Sequence, residues 1–409
     1  MSPQIIFYII LALVVLDFLF NSYLSWLNYG YFDRPIPKEL EDVYDQDAYL
    51  KSQQYKKTLA KFSAVTRTLS FVLLVVFLVL DGFAWLDHYV RTLVTGELKV
   101  ALLFFGILIV ASTVLSLPLS YYRNFVIEED FGFNRSSTTI FFIDKLKGLL
   151  LTFLIGGALL AAIIWLYQQL GSSFWIAAWG VITLFSLVTN LLYARLIVPL
   201  FNKQTPLPQN SLRDQIEAYA ARVGFDLKNI FVIDGSKRST KANAYFSGFG
   251  REKRVTLYDT LINDLEEEEI VAVLAHEVGH YKRKHIITNL IVSIALTGFT
   301  LWLFSLCLQL PQVAQALGGQ PSFHLGLVAF GLLYSPISAL TSFCMSLLSR
   351  KHEYEADNYA AATYRAKPLI GALKKLSRNS LSNLTPHPLV VKINYSHPTL
   401  LQRYRNLMA

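Results

Sequence analysis

The stretch His276-Glu277-Val278-Gly279-His280 has residue types at a spacing that suits metal-assisted hydrolysis. An α-helix repeats every ~3.6 residues, so two histidines four apart lie about one turn from each other on one face. Both imidazoles can then ligate one Zn²⁺ ion, and Glu277 can reach a water on that metal and take its proton. The pattern is typical of zinc peptidases.

A chance occurrence of the same pattern on an amphipathic helix is the alternative, because such matches occur in proteins that bind no zinc. Two local features favour a metal site. Gly279 costs about 1 kcal/mol of helix stability relative to alanine, which indicates that something packs or binds close to it. Asn263 or Asp264 can cap the helix, and the four glutamates at positions 266–269 place negative charge in its first turn.

A site of this type needs a third protein ligand and leaves a fourth position for water. We expect the third ligand to be Glu353, with Asp357 one turn later holding a ligand histidine by a hydrogen bond that fixes its tautomer. Glu355 is the competing ligand, but a residue two positions from Glu353 points elsewhere on a helix. Cys307 and Cys344 lie in apolar runs and predict buried side chains rather than a cysteine metal site.

The composition indicates a multi-span membrane protein. Of 409 residues, 53% are hydrophobic and 16% are charged, and the mean hydropathy is +0.40, which is too apolar for an ordinary soluble chain. Runs long enough to cross a bilayer, about 20 residues each, occur at Ile5–Leu27, Thr68–Val90, Val100–Tyr121, Leu149–Leu170, Phe174–Leu196, Ile286–Leu310 and Phe323–Leu348.

The distribution of lysine and arginine predicts the orientation of these spans. Nearly all of them follow the first, third, fifth and seventh runs, and positive loops stay in the cytoplasm. We therefore expect the N-terminus outside, and the large polar regions and the C-terminus in the cytoplasm. The net charge of +8 is explained by this topology and by anionic membrane lipid, and no nucleic-acid-binding motif is present.

The large polar region before the second membrane half predicts a small α+β unit. Helical spacing covers Ser211–Val223, and β-type patterns cover Ile230–Ile233, Ala242–Phe246 and Val255–Tyr258, with a turn at Gly248–Gly250. An edge strand there would let an extended substrate pair through its backbone, and Asn243 could donate or accept at that edge.

Continuity of the apolar pattern predicts one helix from about Glu267 to Leu310, which would place the two histidines near the membrane surface. The remaining histidines His285, His324 and His352 have no spacing that demands metal, and we expect them at the surface or at interfaces. We divide the chain into residues 1–198 (spans one to five with inside loops), 199–285 (sheet and HExxH helix), 286–348 (spans six and seven) and 349–409 (third ligand).

Taken together, these segments resemble the type-I CAAX prenyl endopeptidases, the integral-membrane zinc metalloprotease family named for the yeast a-factor-converting enzyme. The resemblance covers most of the chain. It is carried by the seven runs, the HEVGH sequence and the segments Val126–Asn134, Pro199–Lys203, Asp234–Ser239, Asn243–Phe246, Tyr258–Leu261, Glu353–Asp357 and Ser396–Pro398.

The resemblance implies one zinc ion per chain, held by His276, His280 and Glu353, with Glu277 as the catalytic base. It implies a mainly α fold, in which seven membrane helices enclose a water-filled chamber and a small gluzincin-like α+β zinc domain lies on the inner face. It also places further residues near the chemistry: Asn243 and Tyr245 at the substrate, Asp357 and His397 among the catalytic groups with His397 as an oxyanion donor, and Arg403 in support of the zinc-side carboxylates.

The resemblance further implies a monomer that acts on peptides or proteins in the membrane, including C-terminally prenylated CAAX substrates. Eukaryotic members carry Ser-His-Ser before the Asn-Ala-Tyr motif, whereas this chain has Thr240-Lys241-Ala242. With the compact length, that difference favours a bacterial member in the inner membrane; a eukaryotic member would lie in the endoplasmic reticulum membrane.

Two other functions stay open from the sequence. One is a quality-control protease for membrane proteins with no prenyl requirement. The other is a non-enzymatic seven-span binding protein, against which the intact pairing of HExxH with Glu353 argues.

Overall fold

Long apolar helices form the first half of the chain in the computed structural model, which describes residues 1–225, 227, 229–247 and 254–409. The predicted turn at Gly248–Gly250 lies outside the described residues. The helices of this half are α1 (Pro3–Tyr29), α2 (Gln46–Val79), α3 (Gly82–Leu93), α4 (Glu97–Tyr122), α5 (Glu128–Asp130), α6 (Thr138–Leu151), α7 (Gly157–Leu170), α8 (Phe174–Leu192) and α9 (Val198–Phe201).

Among the described residues, five helices are long and apolar enough to cross a membrane, and a bent pair raises the number to six. The fourth of the five is the 64-residue stretch Thr138–Phe201, which contains the predicted runs Leu149–Leu170 and Phe174–Leu196. Gly171 separates those two runs at φ 56°, a left-handed value that glycine adopts without strain. The predicted number of seven spans stays a prediction.

The predicted second span, Thr68–Val90, has the wrong boundary. Helix α2 ends at Val79, and Asp81 sits in a left-handed turn at φ 51° before α3 begins at Gly82. A carboxylate is costly inside an apolar helix, and here the chain leaves the helix where the carboxylate occurs.

A four-stranded sheet is formed by the residues between the first and second groups of membrane helices in the chain. The sequence predicted three of its four strands. The order is β1-β2-β4-β3, with β2 and β4 parallel and the other two pairs antiparallel. The extra strand β1 covers Gln204–Pro206, where no strand was predicted. The elements are β1 (Gln204–Pro206), α10 (Ser211–Arg222), β2 (Asn229–Ile233), β3 (Ala244–Ser247), β4 (Arg254–Tyr258) and α11 (Asp259–Asp264).

Helix α12 (Glu267–Lys282) packs on this sheet and carries the HExxH stretch. Its apolar face shares a buried core with α10 and the strands through Ile270, Leu274 and Val278. The predicted cap at Asn263 or Asp264 is wrong. Glu266 caps the helix instead, in a capping box with Glu269, because Asp264 already ends the short helix α11.

The predicted continuous helix from Glu267 to Leu310 is also wrong. Helix α12 ends at Lys282, Lys284 adopts φ 61°, and a new helix begins at His285. The C-terminal helices are α13 (His285–Leu308), α14 (Pro311–Gln315), α15 (Phe323–Leu333), α16 (Ser335–Thr363), α17 (Ala366–Asn379), α18 (Pro388–Asn394) and α19 (Leu400–Met408). Helices α15 and α16 meet at a bend of 56°, beside Pro336 in the first turn of α16.

Gly279 is where α12 and α16 touch backbone to backbone. A Cβ atom on Gly279 would lie 3.0 Å from both the Cα and the carbonyl oxygen of Ala356. The packing that the sequence suggested at Gly279 is thus confirmed, and the partner is the helix that carries Glu353.

We expect Gly279→Ala to destabilise the protein by about 1–3 kcal/mol, because overpacking a rigid contact forces the helices apart. Thermal unfolding in detergent measures the change. Gly180→Ala in α8 is the control, since a Cβ there meets nothing within 4 Å. Equal melting temperatures for Gly279→Ala and the parent chain would show that the two helices can separate at no cost.

Candidate metal centre

His276 and His280 on α12 and Glu353 on α16 converge on one point. Their nearest ligand atoms all lie within 4.8 Å of one another. The two Nε2 atoms are 3.1 Å apart, and Glu353 places one carboxylate oxygen 3.5 Å from His276 Nε2 and the other 3.4 Å from His280 Nε2. His276 and Glu353 are buried.

The remaining ring nitrogens show that these three side chains fit a metal ion. Nδ1 of His276 lies 2.9 Å from Asp357 Oδ1, and Nδ1 of His280 lies 3.0 Å from His285 Nδ1. With each Nδ1–H donating to its partner, both Nε2 lone pairs point at the same space as a carboxylate. A cation satisfies this arrangement, and two nitrogens with one carboxylate oxygen form a common catalytic zinc set.

Asp357 and Arg403 hold the histidine side of the centre. Asp357 is fully buried, and Arg403 on α19 donates to both of its oxygens, from Nε at 2.8 Å and from Nη2 at 2.5 Å. Arg403 Nη1 is also 3.6 Å from Glu353 Oε2. The arginine thereby compensates two carboxylates that burial would otherwise penalise.

Three histidines that we expected at the surface or at interfaces are buried. His285 lies against His280, its Nε2 is 2.8 Å from Glu355 Oε2, and the ring of His352 stacks on it at 4.0 Å. His324 pairs instead with Asp87, at 2.7 Å. As expected for a residue two positions from Glu353, Glu355 points elsewhere.

Glu277 follows His276 on α12 and is half-buried. In the described part of the chain, no hydrogen bond holds its carboxylate. Its negative charge contributes to raising the pKa of both His397 and Arg403.

His397 closes the centre from the loop before α19. Its Nδ1 is 3.0 Å from Glu353 Oε1, while 65% of its side chain is exposed. The hydrogen bond to Glu353 raises the pKa of His397 above its usual range, against the effect of burial. The ring therefore stands at the border between the buried ligands and open space.

Tyr245 lies on the edge strand β3 and Asn243 directly before it, rather than among the metal ligands. Asn243 is exposed, its carbonyl oxygen accepts from Tyr258 N at 3.1 Å, and its side chain accepts from Ala244 N at 2.9 Å. The Tyr245 hydroxyl is buried, opposite Thr256 in the strand register. The substrate role expected for Tyr245 stays a prediction.

Comparison with known proteins covers the whole length of the chain. Residues 27–203 match the family described as CAAX prenyl protease N-terminal, five membrane helices, and residues 206–409 match peptidase family M48. The chain is 36% identical to CAAX prenyl protease 1 of Saccharomyces cerevisiae over 97% of its length and 93% of the relative. It is 35% identical to the homologue of Oryza sativa subsp. japonica, over 96% and 95%.

A solved structure shows the same fold. The crystal structure of S. mikatae Ste24p superposes with a TM-score of 0.94 at 35% identity, covering 99% of each chain. Together with the convergent histidines and glutamate, these similarities establish that the chain belongs to the CAAX prenyl protease 1 family of M48 peptidases and is a multi-pass membrane metalloprotease.

Proposed function

We propose that this protein is a zinc endopeptidase that cleaves C-terminally prenylated CAAX-type peptides at the cytoplasmic face of its membrane. The convergence of His276, His280 and Glu353 from two helices carries the proposal, because this donor set leaves a position for water. The names of the relatives supply the substrate class.

Glu277 and His397 have different roles in the proposed reaction. When bound, the zinc ion supplies Lewis acidity at the scissile carbonyl. Glu277, free of other hydrogen bonds among the described residues, takes the proton of the attacking water and passes it to the leaving amine. His397, exposed beside Glu353, donates to the oxyanion, a role worth on the order of 10²–10³ in rate.

Strand β3 is placed to hold the substrate backbone. It occupies one edge of the sheet, and β4 is its partner on the other side. An extended peptide can add to such an edge through main-chain hydrogen bonds, which tolerate many side chains. Asn243, one residue before β3, accepts from Ala244 N through its side chain.

His285 and Glu355 form a chain of hydrogen bonds behind the ligand His280. If His280 ligates through Nε2, its Nδ1–H must donate to His285 Nδ1, and His285 Nε2–H then donates to Glu355. This order fixes both tautomers and holds the His280 ring in its ligating orientation.

We expect His285→Ala to weaken zinc binding by about 10- to 100-fold, the usual cost of losing such a partner. Competition with a chromophoric chelator measures the affinity in detergent. His324→Ala, which removes a buried histidine paired with Asp87 instead, controls for the loss of a buried ring. Unchanged zinc affinity in His285→Ala would remove His285 from the metal centre.

Cleavage of a farnesylated C-terminal peptide and of its unmodified twin tests the proposed function. We expect purified protein to cleave the farnesylated peptide faster and to lose activity with a zinc chelator. Equal cleavage of both peptides would favour the quality-control function, and chelator-resistant cleavage would contradict a metal mechanism.

A further inference from the structure

A polar cavity of about 520 Å³ opens beside His397, within the range of ~300–1,000 Å³ that is usual for ligand sites. Its walls come from the end of α1, the first turns of α2, and the loops on either side of α18. None of its lining residues is acidic. Besides Lys56 and His397, they include the hydrogen-bonding side chains of Asn28, Ser382, Asn383 and Thr399.

Lys56 is the lysine of this cavity, and two nearby lysines, Lys57 and Lys241, differ from it in being paired. Lys57 lies 2.6 Å from Asp33, and Lys241 lies 2.8 Å from Glu128. For Lys56, which is half-buried, the described residues offer no ion pair and no hydrogen bond to the ammonium group. The Nζ atom of Lys56 lies 5.0 Å from the centre of the Tyr55 ring.

A half-buried ammonium group without a counter-ion is unfavourable, and an anion entering the cavity would relieve it. The walls add hydroxyl groups from serine and threonine and amide groups from asparagine, all of which can donate hydrogen bonds. These groups together suit a carboxylate. The cavity also borders the metal centre, because His397 lines it and contacts Glu353 at 3.0 Å.

We propose that this cavity binds the free C-terminal carboxylate of the peptide substrate, with Lys56 as its counter-ion. The proposal rests on the proposed function, since a CAAX chain ends three residues after its cysteine. Three extended residues span about 10 Å. A peptide held at the metal centre can therefore place its chain end in a cavity that borders the same centre, and Lys56 makes the site select chain ends over internal segments.

A pair of peptides that differ only at the C-terminus, one a free acid and one an amide, tests the carboxylate site. We expect the parent protein to prefer the acid by about 10- to 100-fold in kcat/KM, the usual effect of a hydrogen bond to a charged group. The difference should lie mainly in KM, because the contact is made equally in the ground and transition states.

The variant Lys56→Met should lose this preference, because kcat/KM should fall for the free-acid peptide and stay unchanged for the amide. Lys56→Arg should keep the preference. Lys57→Met is the matched control, since Lys57 is the next residue and is paired with Asp33; it should behave as the parent. Unchanged cleavage of the amide peptide shows that each variant is folded. A parent protein that treats both peptides alike, or a Lys56→Met variant that keeps the preference, would overturn the proposal.

Equilibrium binding of the two peptides to the Glu277→Gln variant, followed by fluorescence anisotropy, reads the carboxylate contact without turnover. We expect the acid to bind more tightly than the amide, and Lys56→Met in that background to remove the difference. Acid-selective binding without any cleavage by the parent would contradict the proposed function but support the carboxylate site at Lys56. Cleavage with no preference for the acid in binding would support the proposed function and contradict the carboxylate site.

Discussion

Replacing Glu277 by glutamine should abolish most turnover and leave the metal centre occupied. The amide has the shape of the carboxylate but cannot accept a proton, so the step that activates water loses its base. General acid–base groups typically contribute 10²–10⁴-fold, and we expect a loss in kcat of about that size. Since no described residue hydrogen-bonds the Glu277 side chain, the exchange should leave the packing of α12 intact.

Elemental analysis and a peptide cleavage assay on the same preparation check this expectation, with one zinc per chain and a much lower kcat as the predicted pair of results. Glu268→Gln is the matched control, because Glu268 lies on the same helix and makes an exposed pair with Arg365 at 3.0 Å. Normal cleavage by Glu277→Gln would mean that another group acts as the base.

The second large effect is expected for Glu353→Ala, which should lose the metal. The change removes one of three ligands and leaves His276, His280, His397 and Arg403 facing each other without their shared carboxylate. We expect zinc affinity to fall by more than the ~10- to 100-fold that is typical for loss of a partner behind a ligand, and activity to fall with it.

The companion variant Glu355→Gln separates the two candidate ligands. Its amide oxygen can still accept from His285, so the variant should keep its zinc. Metal content after dialysis, measured for both variants, gives the answer. Loss of zinc in Glu355→Gln together with retention in Glu353→Ala would reverse the assignment of the third ligand.

The metal ligands could be proposed from the sequence because their spacing obeys helix geometry. His276 and His280 share one face of α12, and Asp357 follows Glu353 by one turn of α16. The resemblance added Arg403 and His397, which approach from the last helix and the loop before it. The spacing of residues in the sequence could not have predicted that those two residues lie close to α12.

His285 escaped sequence analysis for a geometric reason. Five residues after His280, it would point to a different face of a continuous helix. The left-handed residue Lys284 breaks the helix and turns His285 back onto His280. The boundary at Asp81 was missed for a related reason, since a local break overrides the apolar pattern that surrounds it.

Lys56 shows a further limit of the sequence. Four lysines occur near one another at the start of α2, at positions 51, 56, 57 and 61, and composition cannot tell which of them becomes half-buried without an ion pair. The difference arises from Asp33 and from the C-terminal loops, which fold against the start of α2 from distant parts of the chain.

The placement of Glu353 beyond α13 and α15 has a consequence for how the enzyme matures during synthesis. On the proposed assignment, a ribosome-bound chain that ends within α12 displays two ligands and cannot yet hold zinc firmly. The third ligand emerges only after both helices of the intervening hairpin have been translated. The complete ligand set is therefore available only late in synthesis, once most of the polypeptide and its last apolar segments have been translated.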